Sequence, residues 1–323
     1  MVLILSNDGD FSTDLVLDWL AFYNHPFVRL NSNVIINDEL IFNFDNQGFN
    51  ASLNKKILSF KDINAVWLRK FGHFRSTKHY KKLAFSRNYD FETPQLLHSE
   101  FNRVTQTFFA MLSDKKWLTK YTSTHLNKIL MLKMASECGL LIPKTKVINR
   151  KEMINPNNRY ISKSLENPID IKISDDEYGF MYTARIDDVV YHKLPNEFAV
   201  SLIQEEVEKD YEIRVFYICG KSYPMAIFSQ NDPQTKIDFR VYNFECPNRC
   251  VPCDLSSDIQ HQIQTFMERI DLNCGSLDFI KGTDGKLYFL EVNPTGQFGM
   301  IDFPCNYGLH KIVAETLIKM DTI

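Results

Sequence analysis

The stretch Ser276–Asn293, SLDFIKGTDGKLYFLEVN, consists of two largely apolar segments on either side of an Asp-Gly step. Such a step between apolar segments is a strong β-hairpin signal, and pairing around it brings Asp278 close to Glu291, with Asn293 on the same face as Glu291. Two carboxylates and an amide in apolar surroundings are costly unless a cation neutralises them, and hard oxygen donors favour Mg²⁺. The hairpin therefore predicts a magnesium site. The alternative is that Asp278 caps a turn and Glu291 forms an internal salt bridge.

The composition is that of a globular protein. The chain has 323 residues, of which 44% are hydrophobic and 24% charged, and this length suits two or three subdomains. A net charge of -3 gives no global attraction to nucleic acid, and no apolar run approaches the roughly 20 residues that cross a bilayer. Seven cysteines, an odd number in a long chain, favour a reducing compartment. We therefore expect a cytoplasmic protein without nucleic-acid or membrane partners.

Three of the cysteines, Cys246, Cys250 and Cys253, lie in the segment CPNRCVPC, and His261 follows them. Thiolates and an imidazole could form a zinc knuckle. Only one pair has CxxC spacing, however, so the segment is also typical of a loop with free thiols. The sequence leaves both interpretations open.

The first third of the chain alternates strand and helix signals, as in an α/β domain. The segment Ala65–Phe71, AVWLRKF, is predicted as a core strand that carries Arg69 and Lys70 at its C-terminal end. Ligands bind at that end of the strands in open α/β sheets. These two cations are therefore candidates for substrate binding, or they are simply a solvated strand end.

From residue 158 onwards the pattern favours antiparallel strands, including VVYHKL at 189–194 and FRVYNF at 239–244. Helices are predicted around 125–139, with Ser123 or Thr124 as N-cap, and at 258–271 and 307–320.

Three cations stand among apolar residues in this part of the chain. They are Lys128 in a helical segment, Lys163 in YISKSL and Arg214 in YEIRVFYI. A buried cation needs an anionic partner. A polyphosphate would serve all three at once, whereas for each one singly a protein carboxylate is the simpler partner.

These features, in this order, resemble the ATP-grasp superfamily over roughly residues 120–305. The resemblance implies an α/β (α+β) fold with three parts. They are an N-terminal pre-ATP-grasp α/β domain at 1–118, a central ATP-grasp subdomain at 119–200 and a C-terminal antiparallel-sheet subdomain at 201–323 with the Mg-ATP site.

The resemblance also implies roles for individual residues. Two lysines and an arginine would contact phosphates, the segment QEEV would read the adenine, and Asp210 or Glu212 would bind the ribose. The implied nucleotide-binding residues are Lys128, Lys163, Gln204, Glu205, Glu206, Val207, Asp210, Glu212 and Arg214. Asp278, Glu291 and Asn293 would hold two Mg²⁺ ions and, with Arg214, form the catalytic set. The loop after Lys163 departs from the family, because it contains one glycine, Gly179, where the family is often glycine-rich.

Within the superfamily, WLRKFG, residues 229–240, NPTGQFG and the closing helix resemble the graspetide synthetases. These enzymes activate Asp/Glu side chains of a ribosomal precursor peptide as acyl phosphates and join them to Ser, Thr or Lys side chains. The resemblance implies a homodimer, a leader-binding surface near residues 180–195 and a set of substrate-binding residues. That set comprises Arg69, Lys70, Asp238, Arg240 and Gln297. For Asp238 and Arg240 the alternative is a cross-strand ion pair.

Two other functions fit the same nucleotide site. A RimK-like ligase would add free amino acids to a protein or peptide. A regulatory module would bind the nucleotide without turnover, but the presence of all three magnesium-ligand candidates disfavours it.

Overall fold

The computed structural model describes most of the chain. The described residues are 1–35, 40–46, 48–53, 56–71, 74, 92–123, 126–165, 171–172, 178–179, 183–241 and 243–322. Most of the segment DDEYGF, which would cover the phosphates, lies outside them, as does the N-cap candidate Thr124.

The elements follow one another in a mixed α/β order. The strands are β1 (Val2–Ser6), β2 (Phe27–Asn31), β3 (Leu40–Asp45), β4 (Gly48–Leu53), β5 (Lys56–Leu58), β6 (Ala65–Leu68), β7 (Lys116–Thr119), β8 (Thr145–Arg150), β9 (Tyr160–Lys163), β10 (Ile171–Lys172), β11 (Tyr178–Gly179), β12 (Ala184–Ile186), β13 (Glu197–Glu205), β14 (Lys209–Ile218), β15 (Lys221–Phe228), β16 (Arg249–Pro252), β17 (Cys274–Gly282) and β18 (Leu287–Asn293). The helices of the described residues are α1 (Phe11–Phe22), α2 (Glu92–Ala110), α3 (Lys128–Glu137), α4 (Asp188–Lys193), α5 (Ser257–Arg269), α6 (Gly299–Cys305) and α7 (Leu309–Thr322).

The chain forms two compact units. The first contains residues 1–124 together with 308–323, and the second contains residues 125–307. Helix α7 therefore belongs to the first unit. The division at 1–118, 119–200 and 201–323 stays a prediction.

The first unit is built on a parallel sheet with the strand order β2-β1-β6-β7. Strand β1 is buried along its whole length, as its run of Val, Leu and Ile predicts for a parallel strand covered on both faces. Strands β3, β4 and β5 form a separate antiparallel sheet.

In its described residues the second unit contains two larger antiparallel sheets, with the orders β12-β9-β13-β8 and β16-β15-β14-β17-β18, and a two-stranded antiparallel sheet of β10 and β11. One face of the second sheet packs with α3 and α5 into an apolar core that includes Val215, Phe266, Phe279 and Phe289. Because strand side chains alternate between faces, the opposite face of β14, β17 and β18 is left for polar groups.

Helix α3 begins one turn later than the sequence predicted. Its N-cap is Asn127, whose side-chain oxygen accepts hydrogen bonds from the backbone N–H groups of Ile129 and Leu130. The prediction of Ser123 or Thr124 was wrong because Asn127 satisfies the free N–H groups of the first turn itself.

Two predicted strands are also absent from the described residues. Residues 189–194 lie mostly in α4, because Asp187 accepts a hydrogen bond from the N–H of Val190 at 2.8 Å and begins a helix despite the β-branched residues. The described part of residues 239–244 forms turns instead of a strand, and the backbone N–H of Arg240 donates to the Asp238 carboxylate at 3.1 Å.

Among the described residues, every helix is too short or too polar to span a lipid bilayer.

Candidate active site

A row of charged side chains crosses the polar face of the second sheet. Arg214 on β14 pairs in register with Asp278 on β17, which pairs in register with Glu291 on β18. Asn293 pairs with Ser276, one step further along the same face. The structure thus brings together the two acids that the hairpin signal predicted to be neighbours. We call Arg214, Asp278 and Glu291 the charged row.

A β-bulge decides which way Glu291 points. Strict alternation along β18 would place Glu291 on the same face as Phe289, which is fully buried in the apolar core. Phe279 pairs with Phe289 while its neighbour Asp278 pairs with Glu291, so Leu290 is an extra residue on β18. This bulge moves Glu291 to the polar face and keeps Phe289 in the core.

Arg214 and Asp278, two of the three members of the charged row, are incompletely paired. Arg214 Nε lies 3.6 Å from Asp278 Oδ1, which is too long for a hydrogen bond. Both atoms are buried, and neither has a hydrogen-bond partner among the described residues. Burial raises the pKa of Asp278, and the charge of Glu291 adds to this effect while Arg214 opposes it. An acid in this state has spare capacity for a cation.

Arg240, on a neighbouring loop, lies beside Glu291 at one end of the charged row. Its Nε and Nη2 donate to Asp238 at 2.8 and 2.7 Å, and its Nη1 lies 3.6 Å from Glu291 Oε1. Burial alone would raise the pKa of Asp238, but the hydrogen bonds and charge of Arg240 outweigh it and lower the pKa to about 2. The alternative of an ion pair between Asp238 and Arg240 is therefore present, but within one loop and not across two strands.

The two predicted lysines lie on the same side of the sheet as Glu291. Lys128 Nζ lies 3.8 Å from Glu291 Oε2 and donates to the carbonyl oxygen of Ser164 at 3.1 Å. Burial lowers the pKa of Lys163. The negative charge of Glu291 counteracts this shift, and the positive charge of Arg240 adds to it. Four cations therefore surround the acids of the row, as a polyanion with its metal would require.

Two adjoining clefts lie at the charged row. The first, which is the smaller, is lined by Lys163, Arg214, Asp278 and Glu291 among others. The second, which is the larger, is lined by Arg185, Glu206, Val207 and Lys209 among others. Ile161, Ile237 and Ile280 line both, so apolar side chains separate a charged compartment from a roomier one.

The predicted adenine-reading segment borders the larger cleft only in part. Gln204 is buried and donates to Thr145 Oγ1 at 2.9 Å, and Glu205 Oε2 lies 3.3 Å from Lys144 Nζ. Glu206 accepts a hydrogen bond from Arg185 Nε at 2.8 Å and lines the larger cleft together with Val207. Of the four residues, only Glu206 and Val207 line this cleft.

The two ribose candidates differ in position. Asp210 is exposed and does not line either cleft. Glu212 is buried, lines the smaller cleft and accepts a hydrogen bond from Lys209 Nζ at 2.6 Å. Its carboxylate also accepts from Ser229 Oγ.

The end of β18 supplies Asn293 and Gln297. Asn293 Oδ1 accepts a hydrogen bond from the backbone N–H of Thr295 at 3.0 Å, which stabilises the turn after the strand. Gly296 has a φ of 58°, and a Cβ there would lie 3.2 Å from the Phe216 ring, so the turn requires glycine. Gln297 is exposed.

Arg69 and Lys70 belong to the first unit, where both pair with Asp10. Arg69 Nε lies 3.1 Å from Asp10 Oδ2, and Lys70 Nζ lies 3.0 Å from Asp10 Oδ1. Their substrate-binding role stays a prediction.

Sequence reasoning missed Lys209, Arg185 and Ser229, which bond to site residues. Lys209 stands three residues before Glu212, a spacing that could have signalled an ion pair. Arg185 and Ser229 reach their partners only through the tertiary fold, so no local signal marks them.

The candidate zinc ligands do not form a metal site. Among the described residues, which include Cys246, Cys250, Cys253 and His261, no group of three or more His, Cys, Asp or Glu side chains could hold a metal ion. All seven cysteines are free thiols. The candidate magnesium ligands Asp278, Glu291 and Asn293 differ from such a group, because they comprise only two carboxylates and one amide.

No protein-family model matches the sequence, and no curated protein matches it either. Solved structures do share its fold. Macrocyclase MdnC bound with precursor peptide MdnA, from Microcystis aeruginosa, has a TM-score of 0.82 at 21% identity, covering 99% of this chain and 100% of that chain. A Chryseobacterium gregarium RiPP-associated ATP-grasp ligase in complex with ADP and a leader and core peptide has a TM-score of 0.81 at 22% identity, covering 98% and 96%. ATP-grasp ligase PsnB complexed with minimal precursor, Mg and ADP has a TM-score of 0.77 at 14% identity, covering 99% and 97%.

The chain therefore has the fold of the ATP-grasp ligases, and the predicted mixed α/β class is confirmed. More particularly, 98% or more of the chain shares the fold of a macrocyclase bound with its precursor peptide and of a RiPP-associated ATP-grasp ligase, as the resemblance to graspetide synthetases predicted.

Proposed function

We propose that the protein is an ATP-dependent ligase that joins Asp or Glu side chains of a ribosomal precursor peptide to Ser, Thr or Lys side chains, forming ester or amide macrocycles. The observation that carries the proposal is the charged row, whose buried Asp278 oxygen has no hydrogen-bond partner among the described residues. The row lies in a fold that MdnC, bound with its precursor peptide, shares at full length.

The side chains of Asp278, Glu291 and Asn293 are suited to bind magnesium. Asp278 and Glu291 offer carboxylate oxygens, Asn293 offers an amide oxygen, and hard donors of this kind are those that Mg²⁺ prefers. The partnerless Asp278 oxygen and the raised pKa of this acid indicate an unfilled need for positive charge. Bound Mg²⁺ would offset the negative charge of the phosphates during phosphoryl transfer. We propose that the site holds two Mg²⁺ ions, as the resemblance to the ATP-grasp superfamily implies.

The cations around the row have separate roles in this proposal. Lys128, Lys163 and Arg214 bind the phosphates of ATP, while the larger cleft holds the adenosine. The planar guanidinium group of Arg240 is suited to bind a carboxylate, and its two hydrogen bonds to Asp238 fix its orientation. We therefore assign to Arg240 the binding of the peptide carboxylate.

The proposed reaction needs no nucleophilic side chain of the protein. A carboxylate oxygen of the peptide attacks the γ-phosphorus of ATP, the bond to the β-phosphate oxygen breaks and ADP leaves. A hydroxyl or amine of the same peptide then attacks the acyl carbon, and phosphate leaves with its bond electrons while the nucleophile loses a proton. Each link thus removes one water from the peptide and converts one ATP to ADP and phosphate.

The remaining expectations concern the surroundings of the protein. We propose a cytoplasmic location, which the free thiols of all seven cysteines support, and a homodimer, which the family resemblance implies.

The test uses precursor candidates encoded by short reading frames beside the gene. Incubation of the full-length protein with ATP, Mg²⁺ and each candidate should lower the peptide mass by one water, about 18 Da, per link formed and release one ADP per link. A mass gain equal to an amino acid would instead indicate a RimK-like ligase. ATP binding without ADP release for any candidate would indicate a regulatory module.

A further inference from the structure

We infer that Glu212 is a positioning residue, which fastens the loop at residues 229–241 to strand β14. This loop carries Asp238 and Arg240, so the anchor sets where Arg240 stands relative to the charged row. The inference rests on the proposed function for the role of Arg240, whereas the anchor itself is a property of the protein without ligands.

Both carboxylate oxygens of Glu212 are engaged by groups of the protein. Oε1 accepts a hydrogen bond from Lys209 Nζ at 2.6 Å, and Oε2 accepts one from Ser229 Oγ. Glu212 is 6% exposed and Ser229 is fully buried, so water competes little for either bond. Charge-assisted hydrogen bonds in such surroundings are stronger than neutral ones.

The loop is held at two points by this network. Ser229 is its first residue, and Lys209 Nζ also donates to the carbonyl oxygen of Ile237 at 3.0 Å, directly before Asp238. Between them, the buried Thr235 hydroxyl donates to the Ser229 carbonyl oxygen at 3.0 Å. The Glu212–Lys209 ion pair therefore fixes the backbone from which Asp238 and Arg240 project.

The position of the anchor matters because Arg240 reaches the row over a short distance. Arg240 Nη1 lies 3.6 Å from Glu291 Oε1, and Arg214 is two residues from Glu212 on the same face of β14. A shift of the loop by about 1 Å would be enough to move the carboxylate-binding fork away from the γ-phosphate.

A ribose-binding role, which the family resemblance implied for Glu212, agrees less well with these contacts. Glu212 lines the smaller cleft together with Asp278, whereas its partner Lys209 lines the larger one. A ribose ligand would need a carboxylate oxygen that points into the larger cleft, and Glu212 does not line that cleft.

The experiment compares Glu212→Gln and Ser229→Ala with wild type, and uses Glu197→Gln as the control. Glu197 is an exposed acid on β13 that lines neither cleft. Hydrogen exchange is measured by mass spectrometry on the proteins without ligands. Calorimetry with Mg²⁺ then gives the dissociation constants of ADP, 2′-deoxy-ADP and 3′-deoxy-ADP.

We expect amide exchange in residues 229–241 to be about tenfold faster in both variants, with the rest of the chain unchanged. Ser229→Ala removes a single hydroxyl, so it reports on the anchor even if Glu212→Gln unfolds. The dissociation constant of ADP should stay within about twofold of wild type, with the same preference over the deoxy analogues. Loop exchange equal to wild type would overturn the anchor. An equal affinity of Glu212→Gln for ADP and a deoxy analogue would show a ribose ligand instead.

The kinetic readout uses a precursor peptide that wild type modifies. The KM for this peptide should rise about tenfold in both variants while the KM for ATP stays within about twofold, and the double variant should be no worse than the more affected single one. A rise in the KM for ATP alone would contradict the inference. If wild type modifies no candidate peptide, the proposed function fails, and the exchange experiment still decides whether the anchor exists.

Discussion

The protein contains two buried clusters of acid and cation that differ in how completely they are paired. In the first unit, Asp10 accepts hydrogen bonds from Thr13 Oγ1 at 2.6 Å and Arg69 Nε at 3.1 Å, and Lys70 Nζ lies 3.0 Å from its other oxygen. In the second unit, Asp278 lies 3.6 Å from its nearest paired cation atom, Arg214 Nε, and its Oδ1 has no hydrogen-bond partner among the described residues.

The pKa values of the two acids move in opposite directions. Burial by itself raises the pKa of Asp10, but Arg69, Thr13 and Lys70 outweigh it, so the pKa is lowered. Burial raises the pKa of Asp278 and Arg214 does not compensate for it. A buried acid with a complete set of partners stabilises the fold, whereas one that lacks them is typical of a binding site. We therefore propose that the Asp10 cluster stabilises the fold and that the Asp278 cluster belongs to a binding site.

The largest expected effect concerns the charged row. Glu291→Gln keeps the shape of the side chain but removes the charge that would hold magnesium, so we expect the rate of ADP formation with peptide to fall at least about a hundredfold. The free energy of unfolding should change by less than about 1 kcal/mol, because the Glu291 ion pairs at 3.6 and 3.8 Å are long and partly exposed. A fully active Glu291→Gln protein would exclude the magnesium assignment.

The second prediction exchanges the two buried acids for amides. Asp10→Asn should lower the free energy of unfolding by roughly 3 kcal/mol, because it leaves the buried Arg69 cation without its acid. Asp278→Asn should cost less than about 1 kcal/mol or stabilise the protein, since a raised pKa means that the ionised acid opposes folding at neutral pH. Urea denaturation at neutral pH measures both. Equal losses in the two variants would show that the clusters are of the same kind.

The sequence predicted the hairpin that contains Asp278 and Glu291, but it did not predict the bulge within that hairpin. The Asp-Gly step predicted that Asp278 and Glu291 are neighbours, and they are, but the register next to the turn pairs Lys281 with Leu287 and Phe279 with Phe289, so only the extra residue on β18 brings Glu291 opposite Asp278. The bulge at Leu290 has no local sequence signal, and simple alternation would have put Phe289 and Glu291 on one face.

Contacts between residues that are distant in sequence were likewise not predicted. The mixed α/β fold followed from ordered motifs over much of the chain. In contrast, the Glu212–Ser229 contact and the Asp10 partners of Arg69 and Lys70 join residues distant in sequence. Residues 189–194 show the opposite case, in which a local cap at Asp187 overrode a strand-like pattern.

The third prediction concerns stabilisation by a ligand. ADP with Mg²⁺ at about a hundred times its dissociation constant should raise the free energy of unfolding of wild type by about 2.7 kcal/mol. Asp278→Asn should lose the magnesium-dependent part of this increment, whereas Asp10→Asn should keep all of it on a lower baseline. Urea denaturation with ADP alone, Mg²⁺ alone and both together separates the contributions. An increment lost equally in both variants would contradict the division into a structural and a functional cluster.

The smallest effect is the pH dependence of stability, which has opposite signs for the two acids. The folded pKa of Asp10 lies below its usual value of 3.8, so its contribution is present above that value and is lost as the pH falls through the folded pKa. The folded pKa of Asp278 lies above 3.8, so the protein loses stability as the pH rises from 3.8 to that pKa, at a rate that approaches about 1.4 kcal/mol per pH unit. The difference in unfolding free energy between Asp278→Asn and wild type should therefore grow as the pH rises above 3.8 and level off above the folded pKa, and saturating Mg²⁺ should abolish this growth because the metal holds the acid ionised. A difference that is independent of pH would mean that Asp278 is as well compensated as Asp10.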